Sequence, residues 1–133
     1  KMTKQGEFHY TNSEFSVAHF AYDNKMIVVV DKKGRVASYK LIIKDSQVKS
    51  VELVNEFKGL SSPVRAISVT FDHDLLACVE KGGKECQIFD FKTGSHIRNL
   101  TFSENNKSEN SEFVSCVFSL NRKYLYTLMN TPS

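Results

Sequence analysis

A chain of 133 residues in which 41% of residues are hydrophobic and 25% are charged has the composition of a single folded domain, not of a disordered segment. The net charge of +3 comes from 18 basic and 15 acidic residues spread along the chain, which does not indicate the concentrated basic face of a nucleic-acid-binding protein. No apolar run approaches the roughly 20 residues that span a bilayer, and the polar first residues lack the apolar part of a secretory signal. We therefore expect a soluble, cytoplasmic protein with no nucleic-acid partner.

Three segments of the chain, residues 17–30, 66–79 and 115–128, align with one another at an interval of 49 residues. Their anchors Tyr22, Phe71 and Leu120 keep this spacing (71 − 22 and 120 − 71). A constant period of this length is typical of proteins that are built from repeated modules. Each segment predicts two strands joined by a short polar turn.

The two strands of each segment differ in their apolar pattern. In the second segment, Ile67, Val69 and Phe71 alternate with polar residues, which predicts that these three side chains face inward. The corresponding inward residues of the other segments are Ala18, Phe20, Tyr22, Cys116, Phe118 and Leu120. The second strands of the first two segments are apolar on both faces and are predicted to be covered on both sides. Phe71→Asp is accordingly expected to unfold the module, and Asp74→Ala to be nearly neutral.

Further turns and strands follow in chain order. Glycine-containing turns lead to third strands at residues 35–41 and 86–91, and fourth strands follow at residues 48–57 and 95–102. No stretch has a helical period, so we predict an all-β chain built of four-stranded antiparallel sheets. The predicted units are the last strand of one sheet in residues 1–12, sheets in residues 13–58 and 59–104, and the start of the next sheet in residues 112–133.

No group of residues predicts catalysis or metal binding. Asp72-His73-Asp74 has the residue types of an acid–base or metal site, but it occupies the turn position of the repeat, where Asp is favoured for its conformation. The remaining histidines have no partners at ligand spacing; they are His9, His19 and His96. The three cysteines lack metal-ligand spacing and are expected to be reduced thiols; they are Cys78, Cys86 and Cys116. We therefore predict no enzyme, no metal and no cofactor, and the sequence leaves the binding residues unknown.

Two basic turns are the remaining candidates. Lys81-Gly82-Gly83-Lys84 has the composition of a phosphate-binding loop, but it lacks the P-loop spacing and a following helix, which favours a glycine hairpin turn. The segment Lys32-Lys33-Gly34-Arg35 occupies the equivalent turn of the preceding repeat. It is predicted to be a solvated face, with an acidic partner or a membrane surface as the alternative.

Short motifs connect these repeats to a known family. Phe89-Asp90 stands where WD-repeat proteins have their Trp-Asp dipeptide, and Lys92-Thr93-Gly94 follows it. The chain therefore resembles a WD-repeat protein, which implies a β-propeller fold and a role in protein–protein interaction. Propellers close with about 4 to 8 four-stranded blades, and 133 residues at a period of 49 provide fewer than three. The resemblance thus predicts a propeller fragment of about three four-stranded antiparallel blades.

Within that family, the layout is most similar to the endoplasmic-reticulum exchange factors for the small GTPase of the COPII coat, the family of the prolactin regulatory element-binding protein. A blade without a tryptophan, residues 64–102, is followed by a strand at residues 112–119 and by Tyr124-Leu125-Tyr126-Thr127, which leads into a loop. This resemblance implies nucleotide exchange on a small GTPase in ER-to-Golgi transport, at the cytosolic face of the endoplasmic reticulum. It assigns no site residue, because no segment matches the loop with which those factors contact the GTPase.

Two other roles remain open. A non-catalytic scaffold subunit of a large assembly, of the ciliary or ribosome-assembly type, would use the same fold as a docking platform. A phosphoinositide-binding propeller would need a paired-arginine motif, whereas Ile97-Arg98-Asn99-Leu100 has a single arginine.

Overall fold

The computed structural model of the chain describes residues 15–20, 25–60, 62–101 and 111–130. These residues form ten β-strands: β1 (Phe15–Phe20), β2 (Met26–Asp31), β3 (Val36–Lys44), β4 (Gln47–Phe57), β5 (Val64–Val69), β6 (Leu75–Glu80), β7 (Glu85–Asp90), β8 (His96–Thr101), β9 (Glu112–Phe118) and β10 (Leu125–Asn130). The same residues contain no helix of the length and hydropathy that a membrane span requires.

The strands form two four-stranded antiparallel sheets and one two-stranded sheet. In the first sheet β1 to β4 are hydrogen-bonded in chain order, in the second sheet β5 to β8 repeat this arrangement, and in the third β9 pairs with β10. The first strands of the sheets end at Phe20, Val69 and Phe118, which are 49 residues apart (69 − 20 and 118 − 69). The predicted all-β architecture and its period are therefore confirmed.

The first sheet has a longer outer hairpin than the sequence predicts. β3 extends to Lys44, beyond the predicted end at residue 41, and pairs there with Gln47 of β4. Asp45 and Ser46 close the hairpin with φ values of 53° and 62°, the positive φ values that a two-residue type I′ turn requires. The equivalent strands of the second sheet, β7 and β8, have only six residues each. The tip of the hairpin therefore extends past the last residue of β3 that pairs with β2, Lys40.

Two clusters of buried side chains hold the sheets together face to face. The cluster between the first and second sheets consists of Val28, Val30, Val36, Phe57, Val64, Val69, Leu76, Cys78, Phe89 and Phe91. The cluster between the second and third sheets is built on Ala77, Val79, Cys86, Ile88, Phe113 and Cys116. Burial continues along consecutive residues of β2 and β6, so the prediction that these strands are covered on both faces is confirmed.

Phe71 does not face inward, and the prediction for this residue is wrong. β5 ends at Val69, and Phe71 lies in the following turn with 58% of its surface exposed. The reason is the buried Thr70, whose Oγ1 donates a hydrogen bond to Asp72 Oδ1 (2.8 Å) and accepts one from the backbone N–H of Asp74 (3.0 Å). A hydrogen bond between a threonine side chain and the backbone stabilises a turn here, so the strand and its alternation of inward and outward side chains end before Phe71. Phe71→Asp is therefore not expected to unfold the module.

The same correction applies to the matching positions of the other sheets. Leu120 is 72% exposed and Ala18 is also exposed, so neither is an inward residue. Tyr22 lies outside the described residues. The inward prediction holds for Val69 and Cys116, which are buried between the sheets.

The third sheet has an exposed apolar face. Val117, Tyr126 and Leu128 have 55%, 60% and 62% of their surface exposed. On the two preceding sheets the equivalent face, which carries Val30 and Val79, is buried against the next sheet in chain order. The exposed face therefore has the character of an inter-sheet contact surface.

Candidate functional site

A pocket of about 340 Å³ lies at the end of the first sheet where β2 turns into β3 and where β4 leaves the sheet. We call it the β2–β3 pocket. Side chains of the strands supply an apolar wall, and the turn and the segment after β4 supply a charged rim. The wall includes Val29, Val36, Ala37, Tyr39 and Leu60, and the rim includes Lys33, Arg35, Glu56 and Lys58.

Asp31 organises the turn that forms the rim. Its Oδ1 accepts hydrogen bonds from the backbone N–H groups of Lys33 and Arg35, both at 2.9 Å, and its Oδ2 accepts one from Nε of Arg35 at 2.6 Å. Burial opposes ionisation, but the hydrogen bonds and the positive charge of Arg35 outweigh it, so the pKa of Asp31 is lower than its ordinary value. An ionised carboxylate therefore holds the turn in place.

The lowered pKa predicts that Asp31 stabilises the fold in a pH-dependent way. The folded-state pKa lies below that of the unfolded chain, which is about 4. The stabilisation is therefore fully present above about pH 4 and is lost as the pH falls through the folded-state pKa. Asp31→Asn should unfold at a lower temperature than the wild type at neutral pH, and the difference should shrink in acid. Thermal unfolding at a series of pH values measures this difference, and a deficit that does not change with pH would contradict the role of the charge.

The same turn packs against the connection between the first and second sheets. Gly34 has a φ of +84°, and a Cβ at this position would lie 2.5 Å from Cα of Pro63. The carbonyl of Pro63 accepts a hydrogen bond from the backbone N–H of Lys81 (2.7 Å), and Oε2 of Glu80 accepts one from the N–H of Ser62 (3.2 Å). The β2–β3 turn, the connection and the β6–β7 turn therefore form one continuous surface.

The exposed side chains of this surface are mostly cationic, and we call it the basic end. Its exposed cations are Lys32, Lys33, Arg35, Lys58, Lys81 and Lys84. Asp31 and Glu80, the carboxylates at the start of the two turns, are only 4% and 7% exposed. Glu112 lies 3.3 Å from Arg65 in an ion pair beside this surface. The two basic turns that the sequence singles out are thus brought together, although neither forms a phosphate-binding loop.

An ion-pair cluster lies at the opposite end of the sheets and joins the second sheet to the third. Arg122 donates to Asp72 Oδ2 at 2.5 Å and to Asp74 Oδ2 at 2.6 Å, and Lys92 Nζ lies 2.8 Å from Asp74 Oδ1. The hydrogen bond from Lys92 is the main reason why the pKa of Asp74 is lowered. At Asp72, desolvation opposes ionisation, but hydrogen bonds from Thr70 and Arg122 outweigh it and lower the pKa. Both carboxylates therefore stabilise their own turn and form ion pairs, and the pairs with Arg122 connect the second sheet to the third.

Of the histidines that the sequence leaves isolated, the structure describes the side chain of His96. His96 is exposed on β8, with Nε2 at 2.6 Å from Oδ1 of Asn99, and its ring meets the edge of Phe89. Only the backbone of His19 is described, and His9 lies outside the described residues.

The cysteines lie in the two clusters between the sheets. Cys78, Cys86 and Cys116 are buried free thiols. Burial raises the pKa of Cys78, which keeps its thiol protonated and unreactive. Across residues 25–60, 62–101 and 111–130, no group of three or more His, Cys, Asp or Glu side chains could hold a metal ion.

Comparison with known proteins identifies the fold. No protein-family model and no curated protein matches the chain. Among solved structures, the β-propeller domain of Cps50 (Swd1) from Myceliophteria thermophila matches with a TM-score of 0.70 at 13% identity, over 85% of this chain and 34% of that chain. The WD40 repeats of RRP9 match with a TM-score of 0.64 at 15% identity, over 90% and 33% of the two chains. Kluyveromyces lactis Hsv2 matches with a TM-score of 0.63 at 18% identity, over 84% and 33%.

The chain therefore has the fold of a WD40 β-propeller, in which each sheet is a blade. It spans about a third of the length of the solved propellers that it matches. The likeness is one of fold, so it confirms the resemblance to WD-repeat proteins at that level. The narrower resemblance to exchange factors stays a prediction.

Proposed function

We propose that the chain is part of a WD-repeat propeller that docks other proteins and that the basic end is one of its docking surfaces. The observation that carries the proposal is the β2–β3 pocket, a concave site with an apolar wall and a charged rim. Propeller connections are suited to binding because a rigid scaffold positions them. Asp31 and Gly34 fix the rim of this pocket, so little ordering is left for the binding event, which favours affinity.

Docking suits the residues of the pocket better than catalysis does. A general base needs a carboxylate or imidazole that can reach a substrate proton. Asp31 is buried, and its oxygens already accept hydrogen bonds from its own turn. Lys33 and Lys58 are exposed, and solvated ammonium groups are suited to ion pairing rather than to nucleophilic attack. The three buried cysteines are free thiols, and this is consistent with the cytoplasmic location that we propose for the protein.

Photo-crosslinking of the full-length protein in cells tests this function. A photoreactive amino acid replaces Lys58 on the pocket rim, and in a matched control it replaces Lys49, an exposed lysine near the far tip of the same sheet. We expect position 58 to trap a defined protein partner and position 49 to trap much less of it. Equal trapping at both positions, or none at either, would contradict a docking surface at the basic end.

A narrower function, guanine nucleotide exchange on the small GTPase of ER-to-Golgi transport, is supported by the resemblance in sequence. A propeller with this function binds the nucleotide-free GTPase more tightly than the nucleotide-bound form and so shifts the population towards nucleotide release. Release of a fluorescent nucleotide from a panel of small GTPases, measured with the full-length protein, tests it. Faster release from the COPII GTPase alone would support exchange, whereas unchanged release from a folded protein would leave the scaffold role.

A further inference from the structure

We infer that the basic end binds an acidic, extended segment of a partner protein, with one apolar side chain of that segment seated in the β2–β3 pocket. The inference rests on the proposed docking function and adds the chemistry of the partner. Two features of one surface carry it. Cations lie on the turns of two neighbouring blades, and a cavity with one apolar wall lies beside the first of these turns.

The cations follow a path from one blade to the next. The β2–β3 turn presents Lys33 and Arg35, the connection between the blades begins with Lys58, and the β6–β7 turn presents Lys81 and Lys84. Hydrogen bonds join the connection to the end of β6 and the turn that follows it, and Gly34 of the β2–β3 turn packs against Pro63 of the connection, so the backbone segments that carry these cations are held together. Successive carboxylates of an extended peptide can therefore meet cations on both blades, which supplies orientation and faster association.

The carboxylates of the two turns do not neutralise this path. Arg35 balances the charge of Asp31, and the buried Glu80 accepts hydrogen bonds from Ser62 and from the side chain of Gln87. Three exposed lysines of the basic end form no ion pair with a carboxylate of the described residues. They are Lys33 and Lys58 on the pocket rim and Lys81 in the β6–β7 turn. Glu56 is an exposed carboxylate on the same rim, but the exposed cations of the basic end outnumber it, so the surface keeps a net positive charge that attracts an acidic partner.

The β2–β3 pocket adds apolar recognition to this charge. Val36 and Tyr39 are buried in its wall, and Leu60 closes it from the connection. Its volume of about 340 Å³ lies at the lower end of the roughly 300–1,000 Å³ of small-molecule pockets. The pocket therefore has room for one aliphatic or aromatic side chain, and such an anchor in a preformed pocket is the usual source of affinity at a protein interface.

The apolar wall favours a protein segment over a polyanion. The phosphates of a nucleic acid or of an anionic membrane attract cations without regard to an apolar cavity. They would leave the side of the pocket formed by Val36 and Leu60 unfilled. An acidic segment with one apolar residue uses both the cations and the cavity, so it matches the whole surface.

Fluorescence polarisation with the full-length protein and three labelled peptides of equal length tests the inference. The first peptide is acidic with a central leucine, the second has serine in place of the leucine, and the third has the leucine but basic residues in place of the acidic ones. We expect the first peptide to bind, the second to bind about tenfold more weakly, and the third not to bind.

A matched pair of variants places the site. Lys33→Glu combined with Lys58→Glu should weaken binding of the first peptide by about tenfold or more, because the reversed charges repel it. Lys49→Glu combined with Lys44→Glu reverses two exposed lysines at the other end of the same sheet and should leave binding unchanged. The unfolding curves of both variants should overlay that of the wild type, because all four side chains are exposed.

Equal binding of the leucine and serine peptides, or an equal loss in the two double variants, would overturn the inference. Binding of anionic vesicles or of a single-stranded oligonucleotide without binding of the acidic peptide would overturn it in favour of a phosphate-binding surface. If no acidic peptide binds while crosslinks from position 58 still trap a partner, the acidic segment is wrong and the docking function stands. If position 58 traps no partner either, the proposed docking function is itself contradicted.

Discussion

Gly34→Ala is expected to lower the free energy of unfolding by about 3 kcal/mol, because two costs add at this position. The φ of +84° lies in the left-handed region, which costs a residue with a Cβ about 1–2 kcal/mol. The new Cβ would also lie 2.5 Å from Cα of Pro63 and 2.9 Å from the carbonyl oxygen of Ser62. Both are backbone atoms, which cannot swing away as a flexible side chain can, so the connection between the blades would have to move.

Gly59→Ala is the matched control for this substitution. Gly59 has a φ of +91°, but a Cβ there would meet no atom within 4 Å. Its replacement should therefore carry only the conformational cost, about 1–2 kcal/mol. Urea unfolding measures the loss of unfolding free energy in each variant, provided that the m-value is the same as that of the wild type. Similar losses would mean that the β2–β3 turn does not depend on its close approach to Pro63.

The repeat in the sequence was sufficient to predict the strands and their hairpins, and Phe89-Asp90 with Lys92-Thr93-Gly94 added the resemblance that implied a propeller. Each blade uses the same local pattern, so the spacing of Tyr22, Phe71 and Leu120 was enough to align the strands even though Phe71 and Leu120 are exposed. The apolar runs of β2 and β6 also predicted correctly that both faces of these strands are covered. A strand between two neighbouring blades must be apolar on both sides, and the buried runs of these strands follow that rule.

The wrong predictions arose where a side chain competes with the strand pattern. Thr70 bonds to the turn after β5, and this ends the alternation two residues before Phe71. The length of the β3–β4 hairpin was missed for a related reason. Asp45 and Ser46 adopt positive φ values in a tight turn, and neither is a glycine, which is the usual sequence signal for that conformation.

The candidate site was only partly predictable. The turn that includes Lys33 and Gly34 could be singled out by its charge and glycine. The pocket could not, because one of its walls comes from the β2–β3 hairpin and the other from the segment around Leu60, which is distant in sequence and reaches the hairpin only after β4 pairs with β3. The approach of Gly34 to Pro63 likewise depends on how one blade packs on the next.

Phe89→Ala is expected to cost about 3–5 kcal/mol of the free energy of unfolding. Phe89 is fully buried in the cluster between the first two blades, at the position where WD-repeat proteins carry a tryptophan. Its ring meets the edge of Phe57 of the first blade at 5.6 Å between centroids, at an interplanar angle of 74°. Truncation would therefore leave a cavity at the contact between blades and would also remove a favourable aromatic pair.

Phe71→Ala removes the same atoms from an exposed site and is the control for that substitution. With 58% of its surface exposed, Phe71 should contribute about 0.5 kcal/mol or less. Urea unfolding of the two variants compares a phenylalanine between blades with one in a turn of the same blade. Similar losses would mean that Phe71 is part of the core after all, as its place in the alternating pattern suggested. A large loss for Phe89 alone would show that the contact between the blades, and not the apolar pattern of a single strand, decides which aromatic residues hold this fold together.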